Sequence, residues 1–287
     1  MSETHLPAVP LRVAVAQACP VPGDVAANAA AAAAMVREAG DAGARVVLFP
    51  EKFLTGYEPG LIQADPERCA VRGGGDARLA PLLDACRDTG AVAVVGTAVH
   101  DAGSLFVSAL VLDGDGTWAA RYDKQLLFRT EQDVYQPGRQ GLSVDVDGWR
   151  LGIGVCYDSG FPEHARAAAL DGCHAYLVGA LFSVGQGHHE SRVWFPARAH
   201  DNTMYAVLAN LVGTTGGWDT CGSSAVWDPL GRLVAEAGPA DAELLVADLD
   251  PEVLRACRER HPWQADYGDP SLMPRQRLAL QGAPTSA

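Results

Sequence analysis

Two hydrophobic periodicities take turns along this chain. Leu11–Gln17, residues 44–49, 91–99, Trp149–Val155, 175–178, 205–212 and Glu243–Leu249 are short runs dominated by Val, Ile, Leu and Ala. Near-continuous apolar runs of this length predict strands buried on both faces. Between them, residues 24–42, 76–89, 162–171, 188–202 and 251–259 read as helices, the first opened by Asp24 as a capping side chain. Three further segments predict hairpins. Ser104–Leu112 and residues 117–122 flank Asp113-Gly114-Asp115-Gly116, Leu142–Val146 and Trp149–Val155 flank Asp147-Gly148, and residues 223–228 and 232–236 flank Pro229-Leu230-Gly231. Residues 124–141 have little periodicity and read as an excursion from the sheet, and the tail beyond His261 reads as irregular.

Hairpins mixed with βα units predict mixed rather than purely parallel sheets. So many strands fit two sheets packed back to back with helices outside. No stretch rich in Pro, Gly or Ser divides the chain, so residues 1–287 are expected to form a single domain with a core over about residues 11–260.

Composition narrows the function. The chain is 48% hydrophobic and 20% charged, ordinary globular values, with a formal net charge of −13. Such an acidic surface argues against nucleic acid or an anionic membrane as partner. The cysteines number seven, an odd count, and none is spaced as C-x-x-C, so neither a disulfide framework nor a zinc knot is expected, and a reducing cytoplasm fits. Residues 1–10 lack an apolar signal core, and the Ala-rich stretch 26–35 reads as a surface helix, not a bilayer span.

Three strand ends carry candidate chemistry. Cys156 closes the run Leu151-Gly152-Ile153-Gly154-Val155 just before Phe161-Pro162-Glu163 opens a helix, the place where open α/β sheets gather reactive groups. Glu51 follows Val46-Val47-Leu48-Phe49-Pro50, where poor hydration would raise its pKa and suit it to general-base work. Lys124 follows Ala119-Ala120-Arg121-Tyr122-Asp123. Each alone also has a bland reading, as a buried thiol, a loop carboxylate or a solvated amine. Together they are what a nucleophilic thiol requires: a base for its proton and a fixed cation for the charge that follows. His188-His189-Glu190 is not counted as a metal site, because adjacent histidines on a helix face different ways. Gly73-Gly74-Gly75 reads as a turn and not as a phosphate cradle, and residues 213–217 as a glycine- and threonine-rich loop near the sheet ends that could border a pocket.

The surrounding segments resemble the nitrilase superfamily of carbon–nitrogen hydrolases. Phe49-Pro50-Glu51-Lys52-Phe53-Leu54-Thr55-Gly56-Tyr57 is similar to its glutamate motif, Arg121-Tyr122-Asp123-Lys124-Gln125-Leu126-Leu127-Phe128 to its lysine motif, and Gly154-Val155-Cys156-Tyr157-Asp158 with Phe161-Pro162-Glu163 to its cysteine motif, in the family's order. The likeness runs through Ala197-Arg198-Ala199-His200-Asp201-Asn202, Ala209-Asn210 and Gly222-Ser223-Ser224, and spans residues 11–249. It implies an α/β fold, a four-layer αββα sandwich with two mixed sheets. It also implies a triad of Glu51 as base, Lys124 as oxyanion and thiolate stabiliser and Cys156 as nucleophile, with the Tyr157 backbone N–H as a second oxyanion donor. Glu131 matches a second family glutamate that orients the lysine and helps hold the substrate nitrogen.

The chain departs from the pattern at three points. Lys52 stands where an apolar residue is usual, Leu126 where histidine is common, and Gly160 where arginine often precedes Phe-Pro-Glu. Nitrilases of the family usually carry Trp-Glu after the cysteine. Tyr157-Asp158 here resembles the amidase and carbamoyl-amidase branches. The expectation is therefore a cytoplasmic thiol hydrolase that cleaves a linear non-peptide C–N bond of a small amide or carbamoyl-amide. It would need no cofactor and no metal, and would assemble as a homodimer or larger oligomer. Tyr57, Ala180 and Leu181 are expected at the substrate pocket by position alone. A nitrilase, an acyltransferase or a non-catalytic binding protein on the same fold are the alternatives.

Overall fold

A computed structural model describes residues 6–73 and 75–267 of the chain. Gly74 of the glycine turn, the first five residues and the tail beyond residue 267 lie outside the described residues. The elements in chain order are β1 (Leu11–Gln17), α1 (Val25–Asp41), β2 (Val46–Leu48), α2 (Pro59–Ala64), α3 (Pro66–Cys69), β3 (Val71–Arg72), α4 (Ala80–Thr89), β4 (Val92–Asp101), β5 (Ser104–Leu112), β6 (Trp118–Asp123), β7 (Leu142–Val146), β8 (Trp149–Val155), α5 (Pro162–Leu170), β9 (Ala175–Ala180), α6 (Gln186–Asn202), β10 (Tyr205–Asn210), β11 (Val212–Thr215), β12 (Trp218–Cys221), β13 (Ala225–Trp227), β14 (Leu233–Glu236), β15 (Glu243–Leu249), α7 (Pro251–Arg260) and α8 (Trp263–Asp266).

The strands form two mixed sheets. One has the order β15-β1-β2-β4-β5-β6 with β3 beside β4, the other β14-β13-β10-β9-β8-β7. Strands β1, β2 and β4 run parallel, as do β8, β9 and β10, and antiparallel strands flank both groups. The strands alternate their side chains between two apolar surfaces. Val13, Val15, Leu48 and Val94 of one sheet meet Leu151, Ile153, Leu177 and Val207 of the other in a central core. Ala14, Ala16, Val47 and Val95 face outward onto Ala29, Ala32 and Val36 of α1 and Leu82 of α4. On the far side Tyr176, Val178 and Leu208 pack under Ala165 of α5 and Phe195 and Ala199 of α6. The result is the four-layer αββα sandwich. Each large aliphatic side chain so buried contributes on the order of 1.5–3 kcal/mol.

Where the chain departs from its periodicity, turn chemistry or side-chain bonding decides. The strand expected over 44–49 shortens to Val46–Leu48, because the chain bends at Pro50, which has no N–H to give a ladder. The helix expected over 76–89 starts as a 3₁₀ turn, Ala77–Leu79, before α4 takes over with Pro81 in its first turn. The strand expected over 205–212 stops at Asn210, whose side chain bonds Phe182 N, Phe182 O and Gly222 O. Residues 213–217, expected to be a loop that could border a pocket, are part of a hairpin of β11 and β12 that turns at Gly216-Gly217, both at positive φ. Helix α8 puts one helical turn into the start of the tail read as irregular. All seven cysteines are free thiols. Among the described residues, no helix is long and apolar enough to cross a membrane.

Candidate active site

The site forms where three loops from both sheets converge. After β2 the chain turns at Pro50-Glu51-Lys52, with Lys52 in the left-handed region at φ +51°. Two glycines make room for this turn. A side chain on Gly96 of β4 would collide with Pro50 O and the backbone of Glu51 and Lys52, and one on Gly179 of β9 would collide with Phe49 O and Pro50. Each sheet thus presses a bare backbone against the loop, and Glu51 enters the interior fully buried.

Lys124 leaves the end of β6, held by its N–H to Val107 O and by Gly138 N–H to its own carbonyl, both 2.8 Å. Its Nζ, fully buried, donates to Glu51 Oε1 and to Glu131 Oε2, each at 2.7 Å. Glu131 ends a 3₁₀ turn, Arg129–Glu131, inside the excursion after β6. Its Oε2 also accepts Phe128 N–H at 2.9 Å, and its Oε1 accepts Tyr57 OH at 3.0 Å and Lys52 Nζ at 3.2 Å. A carboxylate has about four acceptor positions, and here four donors meet them.

Cys156 directly follows β8 at φ +45°, an uncommon backbone conformation for a side-chain-bearing residue, and begins the 3₁₀ turn Cys156–Gly160. The turn is braced from several sides. Asp158 accepts Val155 N–H and Leu126 N–H at 3.0 Å and Tyr122 OH at 2.7 Å. Ser159 Oγ donates to Cys156 O, and Arg198 of α6 donates to Ser159 O and Gly160 O. Gly160 leaves room for Trp194, whose ring would stand 3.1 Å from a Cβ placed there.

Cys156 opens into a cavity of about 500 Å³ whose wall includes Tyr57, Phe128, Tyr157, Leu181, Trp194 and Trp218. Two of the residues expected at the pocket, Tyr57 and Leu181, line it, whereas Ala180 lies buried in the outer core beneath α5 and α6. A larger cavity, about 700 Å³, opens beside α5, and none of Glu51, Lys124, Glu131 or Cys156 lines it. Of these four, Cys156 alone lines the smaller cavity, and the other three are fully buried.

Burial and charge set the protonation states. Burial pushes the Cys156 thiol well above its usual range, the Glu51 carboxylate adds to this and Lys124 opposes it, so the resting sulfur is a thiol. Glu51 is raised by burial and by Glu131, against the pull of Lys124 and Lys52. Burial disfavours charge on Lys124 as well, but Glu51 and Glu131 outweigh it and hold the ammonium firmly protonated. Glu131 goes the other way: burial would raise it, yet Lys124, Lys52 and the hydrogen bonds to it bring it down to about 2. Among the described residues, Glu51 Oε2 is a buried acceptor with no hydrogen-bond partner. A protonated thiol, an unengaged carboxylate oxygen and a locked ammonium thus share one interior site.

The sequence pattern missed several of the residues that hold this arrangement. Lys52 was visible only as a departure, and Gly96, Gly179 and Trp218 carried no signal. Asp158, Arg198 and Asn210 lay inside family-like segments without an evident task.

Residues 12–259 match the carbon–nitrogen hydrolase family. A nitrilase of Pyrococcus abyssi is 31% identical over 229 residues, 79% of this chain and 85% of that protein. An (R)-stereoselective amidase of a Pseudomonas species is 31% identical over 243 residues, 84% of this chain and 82% of the relative. Among solved structures, a cysteine-to-alanine mutant of the amidase from Nesterenkonia sp. AN1 in complex with butyramide superposes with a TM-score of 0.76 at 30% identity, covering 88% of this chain and 96% of that one. A glutamate-to-leucine mutant of the same amidase, with a TM-score of 0.77 at 29% identity, shows covalent addition of the acetamide moiety of fluoroacetamide at the active-site cysteine. With the sandwich, the ordered motifs and these likenesses in agreement, the chain belongs to the carbon–nitrogen hydrolase family of the nitrilase superfamily.

Proposed function

We propose that this protein is an amidase that cleaves a small linear amide through a thioester on Cys156. The observation that carries the reading is the contrast between the two oxygens of Glu51. Oε1 is held by Lys124 at 2.7 Å, while Oε2 is buried and unengaged, a base with one oxygen anchored and the other open. The adduct at the active-site cysteine of the Nesterenkonia amidase supports a thiol nucleophile here.

In this reading Cys156 Sγ attacks the carbonyl carbon as Glu51 takes the thiol proton. The carbonyl π pair moves to oxygen, where Lys124 Nζ and the Tyr157 N–H receive it. Lys124 can do so because an ammonium has three donors, and two of them are committed to Glu51 and Glu131. A donor aimed at such an oxyanion contributes roughly 10²–10³ in rate. The C–N bond breaks, Glu51 returns the proton to the departing nitrogen, and ammonia or an amine leaves. Water then gives a proton to Glu51 and attacks the thioester. The acid is released and the thiolate recovers its proton from Glu51. Glu131 orients Lys124 throughout.

The test is ammonia release from primary amides beginning with butyramide, then ω-amides, N-carbamoyl amino acids and nitriles, together with mass spectrometry of the intact protein during turnover. Amide turnover with an acyl adduct on Cys156, both lost in Cys156→Ser, is the expected result. Turnover confined to nitriles, or near-normal amide turnover in Cys156→Ser, would overturn it.

A further inference from the structure

The reaction above gives no task to Lys52, although this lysine is buried to its last atom. Its left-handed backbone turns it inward directly after Glu51. Nζ lies 3.2 Å from Glu131 Oε1, 3.8 Å from the centroid of the Tyr57 ring and 4.4 Å from that of Tyr135. Two aromatic faces and a carboxylate are suitable company for an ammonium that has lost its water.

The charges around it form a closed set. Glu51 and Tyr57 come from Lys52's own loop, Lys124 from the end of β6, and Glu131 and Tyr135 from the excursion that follows. Two carboxylates face two amines: burial and Lys124 pull the pKa of Lys52 down, and Glu131 and Glu51 pull it back up, so its positive charge is held by those two carboxylates. Without Lys52 the remaining trio carries a net negative charge in an apolar interior, and two carboxylates sharing one cation tend to retain a proton. A retained proton on Glu51 would block the uptake of the thiol proton.

We propose that Lys52 is a positioning residue: with Tyr57 it fixes Glu131 on the side away from Lys124, and it completes a charge-balanced buried quartet that leaves Glu51 ionised and ready to accept a proton from Cys156. The inference rests on the assignment of Cys156 and Glu51 as nucleophile and base, but not on the identity of the substrate.

The test therefore avoids the substrate. Cys156 is alkylated with iodoacetamide across pH, and its rate is read by peptide mass spectrometry against the other six cysteines. Alkylation requires that the Glu51–Cys156 pair has lost one of its two protons, so the acidic limb of the profile reports that ionisation. In Lys52→Met the limb moves to higher pH by roughly one to three units, the usual effect of deleting an adjacent opposite charge. Lys52→Gln, which keeps a donor for Glu131 but no charge, moves it in the same direction and guards against misfolding of the apolar variant. Adding Glu131→Gln to Lys52→Met restores the charge balance and brings the limb back towards the wild-type position. A limb that stays in place in Lys52→Met and Lys52→Gln, with only stability reduced, overturns the proposal and leaves the amidase reading standing. A wild-type Cys156 that reacts no faster than the other cysteines overturns both.

Discussion

The carboxylate of Asp158 accepts the backbone N–H of Leu126 at 3.0 Å, and this bond ties the turn that carries Cys156 to the strand end that carries Lys124. The same side chain takes Val155 N–H and Tyr122 OH, so one buried residue aligns two of the three loops of the site. Asp158→Ala takes this acceptor from the Val155 and Leu126 N–H groups and one of two partners from Tyr122 OH, which keeps His164 Nε2 at 2.8 Å; each buried donor left unmade costs about 1–3 kcal/mol. We expect a lower urea midpoint and a large loss of kcat, with Asp158→Asn intermediate because its amide oxygen can still accept. Wild-type kcat in a folded Asp158→Ala protein would show that the tie is dispensable.

Gly96 and Gly179 belong to different sheets yet support the same loop. Alanine at either position meets the backbone of residues 49–52 and must displace it. Overpacking of this kind costs about 1–3 kcal/mol, and a displacement of about 1 Å at a reacting group can cost on the order of 10² in rate. Gly96→Ala and Gly179→Ala should therefore lose far more activity than stability. Gly60→Ala is the control: nothing lies within 4 Å of its added Cβ, and it sits in a helix, where alanine is the better residue. Steady-state rates beside thermal midpoints for the three variants decide the matter, and equal losses in all three would refute it.

These two cases show what a linear reading can and cannot reach. The strands were legible because buried parallel strands are apolar throughout. The hairpins at Asp113–Gly116 and Asp147-Gly148 were legible because those residues suit the turns. Glu51, Lys124 and Cys156 stood out because each follows such a strand within a recognisable segment. The glycines were not legible, because their task is to be absent from a space defined by a loop distant in the chain. Lys52 looked like a departure, since the rings of Tyr57 and Tyr135 that face its ammonium come together only in the fold. Trp218 reaches the pocket because the turn at Gly216-Gly217 folds residues 212–221 into a hairpin, and nothing in that stretch names its destination.

The depressed pKa of Glu131 predicts a pH signature. Its carboxyl falls from an ordinary 4.5 to about 2, so it gains from folding by being ionised. That contribution is complete above pH about 4.5 and fades as the pH falls towards 2, because the unfolded chain takes up the proton first. Glu51, with its pKa raised, has the opposite dependence: its contribution is present at low pH and is lost as the pH rises through its folded-state value. Glu131→Gln should be less stable than wild type at pH 7 and should lose less stability than wild type between pH 5 and pH 3. Urea midpoints at the three pH values test this. Parallel losses in both proteins would mean that Glu131 is not the group responsible.

The last prediction concerns what the cavity selects. Its wall is largely aromatic, and Trp218 closes it from the β11–β12 hairpin, at 37% exposure the most open of its large apolar groups. It is absent from the hydrogen-bonded network of Glu51, Lys124 and Glu131, so its contribution to an acyl chain should be the same in the bound amide and in the transition state. Uniform binding of that kind appears in KM and not in kcat. Trp218→Ala should therefore raise KM for an amide with a long apolar acyl group by roughly tenfold, about 1.4 kcal/mol, with kcat nearly unchanged. Acetamide, whose acyl chain is a single methyl, should be almost unaffected. A fall in kcat of equal size for both amides would place Trp218 among the groups that support the chemistry. No change for either would mean that the acyl chain leaves the cavity by another side, past Phe128 and Arg129.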